Sequence, residues 1–244
     1  MRPPDRYPLS LLLAFIAIFA ALAIEPWYRQ DWLLENLLVL VAVPTLVLTH
    51  RRLRFSNFAY TCLFVFFVLH EIGAHYTYSE VPWREWLAGI TGLEVAGAGR
   101  NHYDRFVHFA YGLLLMPAVQ ELVDARMSPR GFWRWLVPLF FVMSHSVIYE
   151  MIEWTAAVLF GGDLGVAYLG TQGDEWDAQK DMALATGGSV TGLVLLRIFA
   201  PLSQPRRASA GACVESGQGQ AGSGRAGGCV PRGSQRSGSE SDSV

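Results

Sequence analysis

Four short stretches of this chain carry side chains able to bind a metal ion or move a proton. In "HEIGAH" (70–75), Glu71 and His75 stand four residues apart, with His70 beside them. In "NHYDRFVHF" the same step separates Asp104 from His108. In "YEMIEW" Glu150 and Glu153 are three apart, and in "GDEWDAQKDM" Asp177 and Asp181 are four apart, with Asp174 upstream. Residues three or four apart share a helix face, so each stretch predicts one face with two ionisable groups. Imidazole with carboxylate suits a divalent transition metal such as Zn, Mn or Fe. A carboxylate beside such an ion can orient a ligand or act as general base on a water. The leading ligand set is His75, His108, Glu150 and Asp181, with His70 and Asp177 as further candidates. Glu71, Glu153 and Asp104 are the candidate catalytic groups. Arg100, Arg105 and Lys180 flank them, and two helix N-termini point the same way, which favours an anionic substrate group. The two histidines of "HEIGAH" are five apart, so HExxH zinc-protease chemistry does not apply.

The segments that must position these groups read as membrane helices. With 52% hydrophobic and 16% charged residues, composition alone would also fit a soluble chain. The distribution decides: apolar runs at 8–25, 32–49, 56–78, 104–124, 134–160 and 178–200 each approach the roughly 20 residues needed to cross about 30 Å of hydrocarbon. A cleaved signal peptide is the alternative for the first run, but five more runs follow it. Arginines cluster before the first span (Arg2, Arg6), after the second (Arg51, Arg52, Arg54), after the fourth (Arg126, Arg130, Arg134) and in the tail (Arg206, Arg207). The positive-inside rule then predicts six helices with both termini in the cytoplasm. All four polar stretches fall near the extracytoplasmic ends. A carboxylate within a membrane helix costs roughly 2.5–3.5 kcal/mol, so several together need partners or a purpose.

Simpler readings stand beside these. Asp104 could cap its helix, Glu175 reads as a solvated loop acid, and His50 and His145 read as structural. Gly188 and Gly192, four apart, read as a close-packing stripe. Trp83, Trp86 and Leu87 predict a short interfacial helix in the longest outer loop. Residues 1–203 form one helical membrane domain, all-α and polytopic. Residues 204–244 form a Gly/Ser-rich tail that cannot bury enough apolar surface to order itself. The three cysteines, Cys62, Cys213 and Cys229, predict no disulfide framework. No internal repeat is visible, which counts against an inverted-repeat transporter.

Taken together, "HEIGAHYTYSEVP", "GRNHYDRFVHFAYG", "YEMIEW" and "GTQGDEWDAQKDM" resemble the YjdF-type bacterial inner-membrane proteins, a family of uncharacterised function. The resemblance covers roughly residues 1–205 and implies a multi-pass protein of the bacterial inner membrane. A weaker likeness is to VanZ-like membrane proteins, carried by Asp104-Arg105 through His108-Phe109, by Glu150 with Glu153, and by Asp177 with Asp181. Glu153 stands where that pattern has glutamine, and "HEIGAH" has no counterpart in it; the likeness implies an envelope role.

The expected function is a metal-dependent hydrolase or transferase acting on a lipid or lipid-linked, anionic amphiphile from the outer leaflet. A proton-coupled transporter or conduit is the first alternative, since intramembrane acids and histidines serve as proton relays. A non-catalytic cation-binding or assembly protein is the second. Membrane lipids are the expected surroundings, and no nucleic-acid partner is expected.

Overall fold

The computed structural model describes residues 5–92, 99–162, 165 and 169–199. The tail from 204 onward, and with it Arg206 and Arg207, lies outside the described residues, as does Arg2. The described elements are all helical: α1 (Arg6–Leu22), α2 (Arg29–Thr49), α3 (Asn57–His75), α4 (Trp83–Thr91), α5 (Tyr103–Arg126), α6 (Trp133–Phe160) and α7 (Asp177–Phe199), with one 3-10 turn at Tyr78–Glu80.

Five of these helices, α2, α3, α5, α6 and α7, are long and apolar enough to cross a membrane. The first is not. With 17 residues α1 measures about 25 Å at 1.5 Å per residue, short of the hydrocarbon thickness. The apolar run expected to span 8–25 stops early for a local reason. Glu25 takes a left-handed φ of 48° immediately before Pro26, and neither residue continues a helix there. The short helix expected around Trp83 and Trp86 forms as α4 and ends at Gly92, whose φ of 69° suits a residue without a Cβ.

Because lipid is as apolar as leucine, packing between the helices must come from close fit. Side chains such as Leu40, Leu48, Val158 and Leu159 stay exposed, while a core of Phe15, Val39, Leu63, Phe66, Phe67 and Val107 joins α1, α2, α3 and α5. The closest pair is α5 with α7. A Cβ at Gly112 would collide with the carbonyl of Ala185, and one at Gly188 with the carbonyl of Phe109. A Cβ at Gly192 would sit 3.0 Å from the carbonyl of Leu113. The contacts climb both helices in the same direction, so α5 and α7 run parallel with backbones touching. This seam continues, at four-residue steps, the faces that carry Asp104 and His108 on α5 and Asp177 and Asp181 on α7. The small residues therefore set the distance between the two ionisable faces.

Candidate functional site

At the end of the bundle where α5 and α7 begin, α3 and α6 finish and α2 starts. The seam brings Asp104, His108 and Asp181 together: one donor atom from each lies within 4.8 Å of the others, the one group of three such residues so arranged among the described residues. His108 Nε2 is 3.4 Å from Asp104 Oδ1 and 3.8 Å from Glu150 Oε1 on α6. The site is well shielded, with side-chain exposure of 11% for His108, 16% for Asp104 and 9% for Glu150. Asp181 is buried, and neither its Oδ1 nor Glu150 Oε1 has a hydrogen-bond donor among the protein atoms. Buried carboxylate oxygens without donors are costly, and a cation is one way to compensate them. Donor atoms about 2.0–2.2 Å from a Zn-sized ion sit roughly 3–4 Å apart, so this group would need to contract by only about 1 Å. One imidazole with two or three carboxylates fits Zn, Mn or Fe.

Behind this group lies a second tier of acids. Glu153 faces Glu150 carboxyl to carboxyl and is within electrostatic reach of Glu35 and Asp104. Glu35, on α2, is buried and accepts a 2.8 Å hydrogen bond from the Tyr149 hydroxyl on α6. With Asp31 and Asn36, also buried, it makes α2 a wall of the site. The expected set of site residues includes none from α2. The signal was available, since Asp31 and Glu35 keep the same four-residue step as the other pairs. Removing the Tyr149 hydroxyl (Tyr149→Phe) leaves Glu35 without this donor and is expected to cost about 1–3 kcal/mol. Denaturant unfolding of wild type and variant in one detergent checks this; coincident midpoints would show that the bond contributes nothing.

The two histidines of α3 part company. His70 is buried, its Nδ1 2.6 Å from the Tyr78 hydroxyl, its Nε2 without a partner, and it lies within electrostatic reach of His108. His75 does not join the cluster: its Nδ1 is 2.8 Å from the Leu22 carbonyl oxygen, and its own carbonyl accepts from the Trp27 N–H at 3.0 Å. It fastens α3 to the α1–α2 connection, which the helix spacing alone could not reveal. Glu71 is fully buried with neither carboxyl oxygen hydrogen-bonded, and it faces Asn36 of α2.

The basic residues are occupied as well. Arg100 pairs with Asp177 and donates to the Thr171 carbonyl, and it lies 3.9 Å from Asp104. Arg105 pairs with Asp174 and reaches Asp177 at 3.4 Å; Lys180 reaches Asp174 at 2.6 Å. Asp177 is thus engaged by the arginines while remaining within electrostatic reach of Asp181 and Glu150. Lys180 first, then the Trp176 backbone N–H and Arg105, hold the Asp174 carboxyl down from 3.8 to about 2. A depressed carboxyl stabilises above its unfolded value and loses that contribution only as pH falls toward 2, so this clamp on the start of α7 persists at neutral and mildly acid pH.

The family described as "Predicted membrane protein (DUF2238)" matches residues 7–201. The chain is also 33% identical over 193 residues to "Inner membrane protein YjdF" of Escherichia coli (strain K12), covering 78% of this chain and 88% of that protein. No solved structure matches. A family match running from α1 to the end of α7, together with that relative, shows that the chain belongs to this family of membrane proteins, the YjdF-type family its His, Asp and Glu motifs resemble.

Proposed function

We propose that this chain is a multi-pass protein of the bacterial inner membrane that holds a divalent transition metal between α5 and α7 and uses it in hydrolysis or group transfer on an anionic lipid or lipid-linked substrate. The observation that carries this reading is the Asp104, His108 and Asp181 group, with donor atoms within 4.8 Å of one another at the end of two parallel helices. An ion held there would supply Lewis acidity toward a phosphoryl or carbonyl oxygen. Glu150, 3.8 Å from His108, would complete the ligand set, and Glu153, carboxyl to carboxyl with it, is the group to take the proton of an attacking water. Arg100, Arg105 and Lys180 stand at the rim and anchor α7 through Asp104, Asp174 and Asp177, and an anionic substrate group would compete with these carboxylates for them.

The relative's name supports the inner membrane as location. Arg51, Arg52, Arg54, Arg126, Arg130 and Arg134 all lie at the end opposite the acidic cluster. We therefore place that end in the cytoplasm and the cluster near the outer headgroups, with six crossings and both termini inside. In this arrangement α1 crosses by local thinning of the bilayer, and the tail from 204 is a solvated cytoplasmic segment.

The test is turnover. Metal-loaded protein is incubated with an extract of bacterial envelope lipids and their loss followed by mass spectrometry. The Glu153→Gln variant, with its metal content unchanged, is expected to work about 100-fold more slowly or worse, as for loss of a general base. A metal-loaded wild type that leaves every lipid untouched would reduce the reading to cation binding. Proton flux into proteoliposomes that depends on Glu150 and Glu153 would favour a conduit.

A further inference from the structure

At the end of the bundle opposite the acidic cluster, α1 and α2 both lean on α3 and splay apart. Near the cluster end they touch, with the rings of Phe19 and Trp32 centred 5.6 Å apart. Toward the arginine-rich end the gap opens into a groove of about 750 Å³. Leu12 and Phe15 line it from α1, Val43 and Val47 from α2, and Phe64 and Phe67 form its floor on α3. This volume lies within the range of roughly 300–1,000 Å³ typical of ligand sites.

The mouth of the groove is polar and braced. Arg54 reaches Asp5 at 3.0 Å, His50 Nε2 lies 3.5 Å from the same carboxylate, and His50 Nδ1 is 2.7 Å from the Tyr60 hydroxyl. These bonds tie the start of α1 to the α2–α3 connection and hold the groove open. Arg51 also lines the mouth, is exposed, and pairs with no acidic side chain among the described residues. Two arginines against one aspartate leave the mouth positively charged at an apolar slot, the complement of a phosphate ester carrying a hydrocarbon chain.

We propose that this groove is a binding site for an anionic glycerophospholipid, one acyl chain lying along α3 between α1 and α2 and the phosphate at Arg51 and Arg54. Basic pockets between membrane helices recognise anionic headgroups in this way. The site is separate from the acidic cluster and independent of what that cluster does.

Native mass spectrometry of the full-length protein tests the assignment, with palmitoyl-oleoyl phosphatidylglycerol and phosphatidylcholine offered at equal concentration. Phosphatidylglycerol is expected to be retained about tenfold better, the equivalent of one well-placed charge contact. Arg51→Glu, at an exposed and unpaired side chain, should leave the thermal midpoint unchanged and bring the two lipids to parity. Leu12→Trp, which fills the slot, should lower retention of both. Equal retention by the wild type, or a preference that survives Arg51→Glu, would overturn the proposal. So would a dimer, seen by light scattering, that Leu12→Trp converts to monomer, because a second copy would then occupy the groove. If Leu12→Trp fails to fold, Arg51→Glu decides alone.

Discussion

Replacing His108 with alanine is expected to strip the protein of transition metal, and replacing His75 is expected to leave the metal in place. Both residues belong to the ligand set that helix spacing favours, so the pair of variants tests the structure against the sequence. His108 stands between Asp104 and Glu150 at 3.4 and 3.8 Å and shares a site with Asp181. Removing it leaves only carboxylates, a set with much lower affinity for Zn or Fe. The loss should exceed the roughly 10–100-fold that removing a hydrogen-bond partner of a metal ligand costs, enough to empty the site during purification. His75 makes its bonds to the α1–α2 connection instead. Elemental analysis should find about one metal per chain in wild type and in His75→Ala, and less than about a tenth of that in His108→Ala and Asp104→Ala. Wild-type protein that holds no metal after purification in metal-supplemented, chelator-free buffer would remove the metal reading altogether.

The second large effect belongs to a residue with no chemistry of its own. Gly188→Leu should disrupt the site as completely as the loss of a ligand, because any side chain at 188 must push against the backbone carbonyl of Phe109. Backbone cannot rotate away as a flexible side chain would, so α5 and α7 must separate. Overpacking typically costs about 1–3 kcal/mol, and a backbone clash belongs at the upper end or beyond. Its neighbour supplies the control: a Cβ at Gly187 meets nothing within 4 Å, and that position is exposed. Gly187→Leu should match or slightly exceed wild type in thermal stability, since leucine favours the helix over glycine. Gly188→Leu should unfold at much lower temperature and lose metal even where it still folds. Equal stability of the two variants would show that the seam does not set the helix spacing.

Much of this site is legible in the sequence. Pairs at three- and four-residue spacing on α5, α6 and α7 identified the faces that converge, because every residue of a straight helix inherits its direction from its neighbours. Gly188 and Gly192 likewise announced a close contact. What spacing cannot give is the rotation of one helix relative to the next. Glu71 and His75 share a face of α3, yet Glu71 looks toward α2 and His75 toward the α1–α2 connection, while His70, one position away, is the residue that lies near His108. The polar residues of α2 are masked by their surroundings: Glu35 and Asn36 interrupt the apolar run 32–44, and Asp31 lies just outside the expected span. The pairing of Arg100 and Arg105 with Asp177 and Asp174 joins residues about 70 positions apart, a distance over which helix periodicity carries no information.

The seam also bears on how the chain assembles. Pro117 lies within α5 and has no N–H to offer the carbonyl of Leu113, four residues earlier. In hydrocarbon a carbonyl released in this way finds no solvent to bond with. Gly192 of α7 packs over this carbonyl, which a Cβ at 192 would approach to 3.0 Å, and so shields it from lipid. Until the last helix arrives, α5 carries an open backbone acceptor in lipid. Insertion of α7 therefore closes a defect that synthesis leaves pending, and a nascent chain halted before 192 would remain vulnerable to membrane proteases however many of its earlier helices had inserted.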